Sequence, residues 1–147
     1  IFKKNASVKK ILTFEKNYLN WKTFDEFRAK VVKSKLDIYS ILKKLKDKNK
    51  KIYGIGAPSR ASTLINYIGL DENIIDCVLE IDGSYKIGNY IPGKKIPILS
   101  EMKLYKDQPD YVVLFSWHIA SELKTNLRRK GFKGKFIIPL PVPRIES

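Results

Sequence analysis

The sequence predicts an α/β domain, a parallel sheet with helices on its faces, preceded by a helical segment. Two observations carry this. After Asn49, short apolar runs alternate with turns and amphipathic stretches, the rhythm of strand–helix units. Before Asn49, apolar residues recur instead at helical spacing. The expected division is therefore residues 1–49, helical, and residues 50–147, the sheet domain.

Taken in order, residues 7–19 carry a weak helical pattern. Thr23-Phe24-Asp25-Glu26 has the spacing of a capping box, in which hydroxyl and carboxylate each satisfy a backbone amide, so a longer helix is expected to open there. Phe24, Phe27, Val31, Ile38, Ile41, Leu42 and Leu45 continue it as a stripe of the kind that faces a core, ending near Lys46. Strands are expected at residues 51–55, 77–81, 111–116 and 136–138, with helices at 59–68 and 118–130.

Composition narrows the function classes. A chain of 147 residues with 44% hydrophobic residues can own a core, and no apolar run is long enough to span a bilayer. The lysine-rich start has no apolar segment behind it, so no secretory signal is expected, and Ile1-Phe2 reads as a truncated beginning. Cys77 is the single cysteine, which excludes an internal disulfide and a multi-cysteine zinc site within the chain and suits the cytoplasm. The net charge of +14 is lopsided: residues 1–53 hold 16 Lys and Arg against 5 Asp and Glu, residues 54–147 hold 13 against 10. The excess is mostly lysine on the N-terminal helices, without interleaved aromatics and arginines. It reads as a solvated face, and specific nucleic-acid binding is not expected.

The chemistry-bearing stretch is Gly54-Ile55-Gly56-Ala57-Pro58-Ser59-Arg60, a turn from strand into helix. Gly54 and Gly56 let the chain turn sharply and let a ligand approach the main chain, and Pro58 suits a first helical turn. Open amides at a helix start favour an anion, and Arg60 adds a forked, charged donor. Ser59 stands where a dinucleotide fingerprint has its third glycine, which disfavours a nicotinamide-dependent oxidoreductase fragment. A tight connection without ligand is the alternative. Ligands of parallel sheets gather at the carboxyl ends of strands, where Glu80 stands as a ribose contact, with Asp82, Tyr90 of the loop 85–93, Trp117 and His118 nearby. His118 is the only histidine and has no acid–base partner or nucleophile motif beside it, so it reads as structural or ligand-orienting. No catalytic or metal-binding residue is assigned.

Several motifs in order resemble the C-terminal domain of SAM-dependent sugar C-methyltransferases. They are Gly54-x-Gly-Ala-Pro-Ser-Arg-Ala-Ser-Thr-Leu-Ile-Asn-Tyr67, Ile87-Gly-Asn-Tyr-Ile-Pro-Gly-Lys-Lys-Ile-Pro-Ile98, Pro109-Asp-Tyr111, Ser116-Trp-His-Ile119 and Gly134-Lys-Phe-Ile-Ile-Pro-Leu-Pro141. The resemblance implies a Rossmann-like domain from an enzyme of three parts: a zinc-binding region, a SAM-binding methyltransferase domain, and this one. A nucleotide-linked deoxysugar would lie between the last two. It implies SAM for the full-length enzyme and no cofactor in this chain, with the methyltransferase domain in the same or a partner chain. The family's zinc cysteines, SAM-binding glycines and catalytic group have no matching positions here, so the chain alone is not expected to be catalytic. A stand-alone nucleotide or nucleotide-sugar binding module is the other reading.

Overall fold

The structure, a computed structural model, describes residues 5–147, so the expected truncated beginning at Ile1 and Phe2 lies outside the described residues. The chain forms two compact units, one ending at Lys33 and one spanning Ser34–Ser147. The first holds helix α1 (Ala6–Tyr18) and the opening turns of α2 (Trp21–Lys46). Asn20 caps α2 in place of the expected capping box: its Oδ1 accepts from Thr23 N at 3.1 Å. The Thr23 hydroxyl donates back to Tyr18 O at 2.5 Å, so it is turned away from the amide a capping box would satisfy. Phe14, Tyr18, Trp21, Phe24 and Phe27 are exposed. The stripe expected to face a core is buried only in its second half, at Ile38 and Leu42, because that half packs on the sheet unit.

The second unit carries β1 (Ile52–Ile55), β2 (Cys77–Glu80), β3 (Ile98–Ser100), β4 (Tyr111–Leu114), β5 (Lys135–Ile138) and β6 (Arg144–Glu146). They form one sheet in the order β3-β2-β1-β4-β5-β6, parallel except for β6, which runs antiparallel to β5. This is the Rossmann-like architecture, with α3 (Ser59–Ile68), α4 (Met102–Asp107) and α5 (Ala120–Arg129) between strands. All four expected strands are present. The edge strands β3 and β6 were not foreseen, since three residues are too few for periodicity to register.

Side chains alternate across each strand and split the core in two. Ile52, Val78, Val113 and Ile137 face Ile38 and Leu42 of α2 and Ala61 and Ile65 of α3. Tyr53, Leu79, Val112 and Phe136 face Leu104 of α4 and Leu127 of α5. With both faces covered, the central strands β1 and β4 carry no charged residue, as parallel sheets require. Gly54 belongs to the first face: a Cβ there would lie 2.5 Å from the Phe115 ring and 2.9 Å from Val78. Its glycine makes room for Phe115 in the core.

Candidate functional site

The chain leaves β1 for β2 and β3 on one side and returns to β4 on the other, so the switch point of the sheet, where parallel sheets place their ligand crevice, lies between the carboxyl ends of β1 and β4. Two segments border it: the turn Gly56–Arg60 after β1, and Ser116–His118 after β4, where a 3-10 turn spans Trp117–Ile119. They meet across it. Arg60 Nη1 lies 3.0 Å from His118 Nδ1, and the guanidinium carbon is 5.9 Å from the centre of the Trp117 ring. A guanidinium only donates, so in this contact Arg60 is the donor and His118 Nδ1 the acceptor. Trp117 is half-buried against both halves of the core, whereas Arg60 and His118 are exposed.

The turn is fixed by its backbone. Gly56 has φ +80°, and a Cβ on it would stand 3.3 Å from Ser116 Oγ. Gly56 N donates to Leu79 O at 2.8 Å, and Ala57 N donates to Glu80 Oε1 at 2.6 Å. These two amides are therefore already engaged. Pro58 does not enter the first helical turn as expected: it precedes Ser59 with extended backbone, φ −67° and ψ 162°, as the N-cap residue of α3. The amides of Ser59 and Arg60, at the first two helical positions, have no acceptor within the helix and carry its positive dipole end.

Glu80, expected to touch a ribose, lies beside the turn but holds it with one oxygen; its side chain is 14% exposed, with Lys86 Nζ 3.7 Å from the same oxygen. Asp82 accepts a hydrogen bond from the Ser100 hydroxyl and borders an open depression of about 400 Å³ with Ile81, Glu101, Met102, Tyr105 and Lys130. Tyr90 is exposed and bridges to Pro97. From sequence, the aromatic, basic and glycine residues of the loop 85–93 read as able to cover a base or hold a diphosphate; the structure sets its Lys86 against Ala57 and sets Ser116 beside Gly56. Neither contact has a local signature; only the fold brings residues 30 and 60 positions apart to one turn.

Other chemistry is limited. Burial pushes the Cys77 thiol up to about 12, which leaves it a core side chain and no nucleophile at neutral pH. Among the described residues, no cluster of three or more His, Cys, Asp and Glu could hold a metal ion, and no helix is long and apolar enough to cross a membrane.

The family described as C-methyltransferase C-terminal domain matches residues 2–141. C-methyltransferase NovU of Streptomyces niveus is 31% identical over 127 residues, which cover 84% of this chain and 30% of that protein. The chain thus matches less than a third of the length of that relative.

Proposed function

This chain belongs to the family of C-methyltransferase C-terminal domains, and from that premise we propose that its own task is to bind the nucleotide-linked sugar that the whole enzyme methylates. The observation that carries the proposal is the Arg60–His118 contact across the crevice, beside the open amides of α3. A diphosphate would lie on the amides of Ser59 and Arg60 and on the guanidinium. His118 and Trp117 flank the sugar end. Tyr90 lies toward the base, and the second oxygen of Glu80, with Asp82, lies toward the ribose. Residues 50–147 form this binding domain and residues 1–49 the helical segment before it.

Methyl transfer to a sugar carbon needs a base that removes the proton beside a keto group, and SAM supplies the methyl group to the resulting carbanion. We place both in a methyltransferase domain, in the same or a partner chain. The crevice does not fit SAM itself, because Arg60 sets a positive charge where the sulfonium cation would approach and Glu80 Oε1 is committed to Ala57. No residue of this chain is given a catalytic role.

An NMR titration with UDP, dTDP, GDP and their sugars tests the binding site. Shifts are expected at the amides of residues 56–62, with nucleotide sugars tighter than bare diphosphates. A charged hydrogen bond is worth about 1.5–3 kcal/mol, so Arg60→Ala should weaken binding roughly ten- to a hundredfold. Binding unchanged in Arg60→Ala would remove the site from this turn. Equal affinity for diphosphates and their sugars would favour a nucleotide module with no sugar subsite.

A further inference from the structure

The backbone of Ala57 is held on both sides of its Cα by residues distant in sequence. Its N–H donates to Glu80 Oε1 at 2.6 Å, its carbonyl accepts from Lys86 Nζ at 2.8 Å, and Lys86 and Glu80 are themselves 3.7 Å apart. Carboxylate, main chain and ammonium close a ring of charge-assisted contacts around residue Ala57, across the two peptide groups that flank its Cα. Ala57 is buried, while Glu80 and Lys86 keep only 14% and 33% of their side-chain exposure, so solvent competes weakly for these bonds.

Lys86 has little freedom to leave. Its loop is anchored on β3, where Gly88 N donates to Ile98 O at 2.9 Å and Ile98 N to Asn89 O at 2.8 Å. Within the loop, Asn89 N donates to Lys86 O at 3.1 Å. The same loop reaches the helix beyond the turn, where Asn66 Nδ2 donates to Pro92 O at 2.9 Å. It therefore grips both the turn and the first helix of the crevice.

We infer that Glu80 and Lys86 are positioning residues that fix the backbone on both sides of Ala57 so that the Ser59 and Arg60 amides and the Arg60 side chain face the crevice; this rests on the proposed binding of a diphosphate there. Pro58 stands between Ala57 and the open amides, so a rotation of the Ala57 backbone would swing the helix start. Lys86 acts on the ligand through the turn and not by touching it. Glu80 is then first a holder of the turn.

The test uses the 147-residue chain labelled with ¹⁵N, as wild type, Lys86→Met, Glu80→Ala and Glu80→Gln. Each is measured for hydrogen exchange at Ala57 N–H, urea midpoint and affinity for dTDP, UDP and GDP. Lys86→Met and Glu80→Ala should speed exchange at Ala57 at least tenfold relative to the core amide of Val113. They should weaken the best-bound diphosphate about tenfold while the urea midpoint moves little. Glu80→Gln, which keeps an acceptor for Ala57 N–H, should restore much of both. Unchanged exchange at Ala57 in Lys86→Met and Glu80→Ala overturns the inference. So does weakened diphosphate binding with normal Ala57 exchange, which would make Lys86 a direct contact. If wild type binds none of the three diphosphates, the proposed function fails instead, and accelerated Ala57 exchange still supports the brace.

Discussion

At the amino end of β1, Asp110 accepts from Lys51 N at 2.9 Å and pairs with Lys50, and Asp76 accepts from Ile52 N at 2.9 Å and pairs with Lys46. At the carboxyl end, Glu80 accepts from Ala57 N with Lys86 beside it. The device is the same three times: a carboxylate takes an amide that the ladder leaves over, and a lysine balances its charge. What differs is the ground beyond it. At the carboxyl end the strand runs into a glycine turn, a helix start and the exposed Arg60 and His118. A carboxylate at a strand end thus signifies anchoring, and a ligand site needs the additional, outward cation.

The two glycines of the turn offer the sharpest way to break that comparison, since one serves packing and the other lies at the crevice. Gly54→Val should have the largest effect, a loss of about 3 kcal/mol or more in urea unfolding, because its Cβ would stand 2.5 Å from Phe115 in a closed core. Gly56→Val should cost less stability, about 1–2 kcal/mol for a branched residue at φ +80°, yet abolish diphosphate binding. A folded Gly54→Val protein that binds normally, or a Gly56→Val protein that binds as wild type, would erase the distinction.

The amino end should speak in acid. Hydrogen bonds from Lys51 N and then Lys50 hold the Asp110 carboxyl below its ordinary value of 3.8. A folded value below the unfolded one means that the stability it contributes is present above pH 3.8 and is lost as pH falls through the lower, folded value. Asp110→Asn should therefore lower the urea midpoint at pH 7 modestly and flatten its fall below pH 4. Because Asp110 lies at the opposite end of the strand, diphosphate affinity at pH 7 should not change. An unaltered acid limb in this variant would show that the contact at Lys51 contributes nothing.

These contrasts also mark how far the sequence could be read. The sheet was legible because β1, β2, β4 and β5 are apolar runs divided by turns, and α3 was found with its bounds, Ser59–Ile68. The turn that holds Gly56 and Arg60 was legible because a passage from strand into helix has a local signature. Lys86 was not: its role depends on a chain reversal through β3, whose three residues carry no period. The exposed Phe24 and Phe27 were misread for a related reason, since a helical stripe records that a face is apolar and not what covers it. Gly54 looked like its neighbour Gly56, and only the Phe115 ring against it separates packing from approach.

The smallest expected effect is none at all, with SAM. If the carboxyl end of β1 is a site for anions, its selectivity should follow charge at Arg60: a diphosphate gains the guanidinium and the helix dipole, whereas a sulfonium opposes both. Glu80, the nearby group that could offset a cation, is already engaged by the Ala57 amide and by Lys86. Calorimetry of the 147-residue chain with SAM should therefore show no saturable heat under conditions in which the best nucleotide sugar gives a one-to-one isotherm. Arg60→Ala should weaken the nucleotide sugar without creating affinity for SAM. A one-to-one isotherm with SAM on the wild-type chain would place the methyl donor in this domain and overturn the division of labour between it and the methyltransferase domain.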